Sequence, residues 1–241
     1  IISAARHDDA IAWYENNGGA DPSWVAADID TSHDAPTKVC LGDIDGDGDL
    51  DIVSASADDN TIAWHENNGA ANPTWTAIDI DTNAAKARFV YLADMDGDGD
   101  LDIVSASSQD NTIAWYENDG AADPSFTAAN INTSAGGAHS VFVADMDGDG
   151  DLDIVSAGYD DDTIAWYEND GAANPSWVAA DITTSADAAY DVFVADMDGD
   201  GDLDIVSACE WPGKIEWYEN LGVVDSTNPR LGSSSPAENA T

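Results

Sequence analysis

Along this chain apolar and polar positions alternate in short runs, and the whole arrangement returns every 51 residues. In the unit spanning 137–187 the pattern predicts four strands, at 140–144, 153–157, 163–168 and 176–182. An Asp-rich loop, a short turn at 158–162 and an Asn/Gly/Pro loop at 169–175 separate them. In Thr163-Ile164-Ala165-Trp166-Tyr167-Glu168, alternation puts Ile164, Trp166 and Glu168 on one face and Ala165 and Tyr167 on the other. Both faces carry large apolar groups, as in a sheet packed between two neighbours. Four short strands per repeat predict an all-β fold, a β-propeller of four-stranded blades; a parallel solenoid would need shorter coils.

The same register runs through the chain. Trp13, Trp64, Trp115, Trp166 and Trp217 stand 51 apart and read as core. Asn17-Gly18, Asn68-Gly69, Asp119-Gly120 and Asp170-Gly171 mark reversals after the aromatic strand, and Pro22, Pro73, Pro124 and Pro175 stop the ladder before the next one. A second aromatic series, Trp24, Trp75, Phe126 and Trp177, follows each Pro. It reads as a staple for the outer strand or, alternatively, as a sugar-stacking platform. The acidic tips Asp58-Asp59, Gln109-Asp110 and 160–162 read as solvated turns. Units fall at about 1–34, 35–85, 86–136, 137–187 and 188–220, with a Ser/Pro-containing tail or linker at 221–241.

The candidate chemistry lies in Asp94-Met95-Asp96-Gly97-Asp98-Gly99-Asp100-Leu101-Asp102, which places five carboxylates in nine residues and recurs from Asp43, Asp145 and Asp196. Carboxylates at alternate positions repel, and a hard divalent cation with 6 to 8 oxygen ligands holds them together. Gly97 and Gly99 supply the positive φ that lets the backbone curl round an ion. Asp94, Asp96, Asp98 and Asp102 are the expected side-chain ligands, with Asp100 offering its carbonyl and turning its carboxylate to solvent or a ligating water. Equivalent roles fall on Asp43, Asp45, Asp47, Asp49 and Asp51, on Asp145, Asp147, Asp149, Asp151 and Asp153, and on Asp196, Asp198, Asp200, Asp202 and Asp204. Magnesium, which demands a strict octahedron, fits less well than Ca2+, and about four Ca2+ ions are expected. An EF-hand needs Glu at position 12 and flanking helices, whereas position 12 here is Ser105 and both flanks read as strands.

Composition sharpens this picture. The formal charge is −43, from 49 acidic and 6 basic residues, although 43% of the chain is hydrophobic. Four divalent ions would leave −35 of the −43. Such a surface excludes a nucleic-acid partner or an anionic membrane surface, both of which need a basic footprint, and no apolar run is long enough for membrane insertion. Loops of this kind are most useful where calcium is abundant, so an extracellular location, secreted or at the cell surface, is expected. The opening Ile1-Ile2-Ser3-Ala4 matches the stage of the repeat at Ile52-Val53-Ser54-Ala55, so the first unit starts part-way through and reads as a window of a longer precursor. Cys40 and Cys209 read as small buried hydrophobes. Asn132 and Asn239 head glycosylation sequons.

At D-[IM]-D-G-D-G-D-L-D-I-V-S-A the chain resembles the FG-GAP or VCBS repeat family over about residues 1–220. That resemblance implies a calcium-binding β-propeller, as in integrin α-subunit heads and certain fungal lectins, with the calcium loop joining the first two strands of each blade. The literal Phe-Gly and Gly-Ala-Pro elements are absent, so integrin-type ligand binding is not implied. With five units the ring is complete with an imperfect seam, part of a larger propeller, or completed by a strand from another chain. Catalysis needs a singular constellation, while nearly every polar group here repeats, and His7, His33, His65 and His139 occupy four different phases of the repeat. The expectation is therefore not an enzyme but a structural or adhesive module that could polymerise, with other protein chains as partners. The alternatives are a lectin that binds glycans through the second aromatic series, and a non-catalytic part of a larger secreted enzyme.

Overall fold

The computed structural model describes residues 1–222 and 231–232. Most of the 221–241 tail read as a linker, and the Asn239 sequon, lie outside the described residues. All regular structure in the described residues is β, with no helix. Blade 1 holds β1 (Ile2–Ala5), β2 (Ala10–Asn16) and β3 (Trp24–Asp30). Blade 2 holds β4 (Pro36–Gly42), β5 (Asp51–Ser56), β6 (Thr61–Asn67) and β7 (Trp75–Asp81). Blade 3 holds β8 (Ala87–Ala93), β9 (Asp102–Ser107), β10 (Thr112–Asn118) and β11 (Phe126–Asn132). Blade 4 holds β12 (Ala138–Ala144), β13 (Asp153–Gly158), β14 (Thr163–Asn169) and β15 (Trp177–Thr183). Blade 5 holds β16 (Ala189–Ala195), β17 (Asp204–Cys209), β18 (Lys214–Asn220) and the two-residue β19 (Leu231–Gly232).

Each blade is an antiparallel meander, and the expected strands of blade 4 are met to within two residues at either end. The first strands β4, β8, β12 and β16 lie side by side, which makes the array radial. The propeller is not closed. Blade 1 has three strands, β1 takes the place of a blade's second strand, and its edge away from β2 carries no partner strand among the described residues.

The two-faced aromatic strand builds the core. On β14, Ile164 and Trp166 join Ala189, Val192 and Ile205 of blade 5, while Ala165 and Tyr167 join Val104, Ile113 and Trp115 of blade 3. Trp64, Trp115 and Trp166 are 2–3% exposed, whereas Trp13, next to the incomplete blade, is only half-buried. A pocket lined by Ile1, Trp13, Leu50, Ile52 and Trp75 opens between blades 1 and 2.

Two repeated polar ties hold neighbouring blades. At the hairpin tips Asp9, Asn60, Asn111 and Asp162 take positive φ between 49° and 62°. Their side chains accept the backbone N–H of Ala35, Lys86, Gly137 and Ala188 in the following blade, at 2.8–2.9 Å. Asp59, Asp110 and Asp161 accept from Asp34, Ala85 and Gly136, in the linker that leads into their own blade, at 2.7–3.3 Å. Asp58, Gln109, Asp110, Asp160 and Asp161 are exposed, as expected of solvated turns, while Asp162 at the third tip also ties blade 4 to blade 5. The second tie ends the aromatic strand. Asn118, Asn169 and Asn220 each donate through Nδ2 to a carbonyl in the Asp loop of the preceding blade, Ile44, Met95 and Met146, at 2.9–3.1 Å.

Candidate metal centres

Each Asp loop joins the first and second strands of its blade and folds on its own carboxylates. In blade 3, Asp94 accepts from the amides of Gly97 (2.8 Å) and Gly99 (3.0 Å). Asp96 accepts from Asp98 N–H and Asp98 from Asp100 N–H, at 3.2 and 3.0 Å. Gly97 and Gly99 sit at φ 77° and 101°, where a side chain would strain the turn. The last carboxylate of each loop is the anchor. Asp51, Asp102, Asp153 and Asp204 are each 1% exposed. Asp102 accepts from Met95 N–H inside the loop (3.1 Å) and from Asn118 N–H at the end of β10 (2.8 Å), and the other three repeat this geometry.

The fourth carboxylate of each loop is half-buried instead of turned fully to solvent. The Asp100 carboxylate lies over Gly120, where an added Cβ would come within 2.0 Å of Oδ2, and Asp49, Asp151 and Asp202 cover Gly69, Gly171 and Gly222 likewise. These glycines serve the reversal, at φ between 56° and 66°, and also leave room for the loop.

Three carboxylates in every loop bring oxygen atoms within 4.8 Å of one another: Asp43, Asp45 and Asp51; Asp94, Asp96 and Asp98; Asp145, Asp147 and Asp153; Asp196, Asp198 and Asp204. No Lys or Arg pairs with any of these groups among the described residues. Asp43 Oδ1 is buried without a donor. An uncompensated buried carboxylate oxygen beside two others fits a cation, so the donor set passes the test for a hard divalent ion. The electrostatics agree. Burial pushes the Asp102 carboxyl up to about 6 and that of Asp153 to about 7, against the opposing pull of their backbone hydrogen bonds. The indole N–H of Trp115 stands beside Asp102 without closing a hydrogen bond. Burial, with the neighbouring carboxylates adding to it, also raises Asp45, Asp96 and Asp147.

The match to known proteins follows the loops: a family model described as FG-GAP-like repeat fits residues 1–54, 43–105, 94–156 and 145–207. The chain belongs to the FG-GAP-like repeat family. A search of curated proteins returns no match. The matched segments overlap because each ends just beyond an Asp loop and the last three also begin at one, so the FG-GAP-like unit is centred on the inter-loop strands.

Around the FG-GAP-like loops the other singled-out residues fall as follows. Trp24, Trp75, Phe126 and Trp177 open the outer strands β3, β7, β11 and β15. Phe126 packs on the core between blades 2 and 3 and Trp177 on that between blades 3 and 4, while Trp24 is 46% exposed. Asn132 ends β11, and its Nδ2 donates to Tyr167 Oη at 3.0 Å. Cys40 and Cys209 are unpaired; Cys40 donates to the Val90 carbonyl.

One cluster breaks the repeat. His65, fully buried on β6, stands where the other blades have Tyr14, Tyr116, Tyr167 and Tyr218. His33, 8% exposed, stands where they have Ala84, Ala135 and Ala186. Their rings meet edge to face, 5.7 Å between centroids, with Asp30 beside both. The expectation that the four histidines stay apart is therefore corrected for this pair: different phases of the repeat meet across a blade interface. His65 Nε2 also faces Ser54 Oγ at 2.9 Å, so Ser54, His65 and Asp30 line up in the order of a hydrolase triad. Ser54 is 0% exposed and unreachable by a substrate, and Asp30 is 3.8 Å from His65, beyond a hydrogen bond.

Proposed function

We propose that this chain is a calcium-stabilised extracellular module with a structural or adhesive role and no catalytic one, able to join further chains at its open blade edge. The observation that carries the reading is the convergence of three carboxylates in each of four loops, with no basic side chain to balance them. FG-GAP-like repeats often bind Ca2+ and are typical of extracellular proteins, which supports both the ion and the location. The ion's part is mechanical: it neutralises a loop that otherwise forces apart the first two strands of its blade. Because Asn118, Asn169 and Asn220 tie the first three loops to the next blade, an ordered loop there also aligns neighbouring blades. The unpartnered edge of β1 supports assembly by strand addition, from this chain's own continuation or from a second copy. The glycan-binding alternative has less support, because Phe126 and Trp177 are already used in packing.

Calorimetric titration with Ca2+, followed by light scattering on a sizing column with Ca2+ and with chelator, tests this reading. About four sites and a Ca2+-dependent rise in melting temperature are expected. Absence of binding at millimolar Ca2+ overturns the calcium part. A monomer under all conditions overturns the assembly part.

A further inference from the structure

We propose that Asp30, His33 and His65 form a second type of metal site, for a borderline divalent ion of the zinc class, that bridges blades 1 and 2. The three residues bring one ligand atom each within 4.8 Å of the others. Two imidazoles and one carboxylate are a donor set for Zn2+ and its first-row neighbours, whereas the all-oxygen loops select hard ions. Metal–ligand bonds of about 2.0–2.1 Å in a tetrahedron hold ligand atoms roughly 3.3 Å apart. His65 Nδ1 lies 3.8 Å from Asp30 Oδ2, and His33 Nδ1 is in direct contact with the same oxygen. Small side-chain rotations then admit an ion.

The independent sign of a ligand is His65 Nδ1. It belongs to a residue with no exposed surface, has no hydrogen-bond partner, and is aimed at Asp30. A buried ring nitrogen without a partner is costly, and coordination satisfies it. The surroundings are those of a built site. His33 Nε2 is held by Asp79 Oδ1 at 3.0 Å and His65 Nε2 by Ser54 Oγ at 2.9 Å. In both rings the outer nitrogen is thus occupied and Nδ1 is turned inward, the arrangement by which an outer carboxylate or hydroxyl fixes a ligating imidazole. Three protein ligands leave a fourth position for water, and the exposed Asp79 marks the way in from solvent.

The location gives the ion a purpose. Asn67 at the end of β6 finds its own Leu50 carbonyl (3.0 Å) but, among the described residues, no acceptor in the preceding blade, unlike its equivalents. At the equivalent points of the next interfaces, Tyr116 Oη donates to Asp81 (2.9 Å) and Asn132 donates to Tyr167 Oη (3.0 Å). A metal bound to Asp30 of β3 and His65 of β6 would clamp the interface that lacks the Asn tie.

The repeat supplies variants suited to the fold, His33→Ala and His65→Tyr, each restoring the residue found at that position in other units. With the Asp loops saturated in Ca2+, Co2+ and Zn2+ are titrated into the full chain and both variants. The expected result is one site with the intense visible absorption of tetrahedral Co2+, displaced by Zn2+, and lost in either variant. Zn2+ at 100 times its dissociation constant should raise the wild-type melting temperature by about 5–10 °C and leave both variants unmoved. Retention of the tetrahedral signal and of the Zn2+ shift in both variants, or an octahedral spectrum abolished only by excess Ca2+, overturns the proposal. If one variant fails to fold, the other decides the result.

Discussion

Replacing Asn169 by Ala should cost far more stability than replacing Asn67 by Ala, although both end the equivalent strand, two units apart. Asn169 is 2% exposed. Its Nδ2 donates to Met95 O across the interface (2.9 Å) and to Leu152 O (3.0 Å), and its Oδ1 accepts from Gly171 N–H (3.0 Å). At about 1 kcal/mol net for each bond, with a further contribution from the Met95 carbonyl left buried without its donor, the loss is about 3–4 kcal/mol. Asn67 keeps only the bonds to Leu50 O (3.0 Å) and from Gly69 N–H (3.1 Å), and water replaces them at its half-exposed site. Its loss is about 1 kcal/mol. The change of residue type is common to both variants and cancels in the comparison. The remaining difference of about 2 kcal/mol corresponds to about 4–8 °C in melting temperature for a domain of this size. Repeat arrays can open blade by blade, so scanning calorimetry in Ca2+ should be paired with hydrogen exchange of the blade 3 Asp loop, which Asn169 caps. Asn118→Ala, with the matching contacts to Ile44 and Leu101, should behave like Asn169→Ala. Equal losses for Asn67 and Asn169, within about 0.5 kcal/mol, refute the inter-blade tie.

Asp96→Asn should lower Ca2+ stoichiometry by one site while the other loops bind as before, which calorimetric titration reads directly. Gly120→Ala should destabilise by at least about 1–2 kcal/mol, the cost of positive φ for a side chain, and should also weaken the blade 3 ion site by displacing Asp100; Gly99→Ala meets no neighbouring atom and incurs the backbone cost alone. In chelator, stability should fall as pH rises from about 4 through 7. Asp102 and Asp153 have folded pKa values of about 6 and 7, above the unfolded carboxylate value, so the native state holds more protons than the unfolded chain across that window and loses this advantage as they ionise. Denaturant midpoints between pH 4 and pH 8 check this, with Asp153→Asn flattening the profile and Ca2+ reversing its slope.

Strand positions, the two-faced aromatic strand and the nine-residue Asp loops were legible because each depends on neighbours close in the chain. Alternation sets the face a side chain occupies, and Asp94, Gly97, Gly99 and Asp102 act within one turn. The incomplete first blade was legible too, since Ile1-Ile2-Ser3-Ala4 matches the second strand of a unit. Contacts between units were not. Comparing repeats sorts residues into columns, but stacked blades press different columns together: Asn169 meets Met95, 74 positions earlier, and Asp162 meets Ala188, 26 positions later. The histidines show the consequence most clearly. His33 and His65 occupy unlike phases and look unrelated along the chain, yet the twist and stacking of two sheets bring their rings to 5.7 Å around Asp30. Local spacing dictates which groups a loop or strand presents, while the packing of one blade on the next determines which of them become partners.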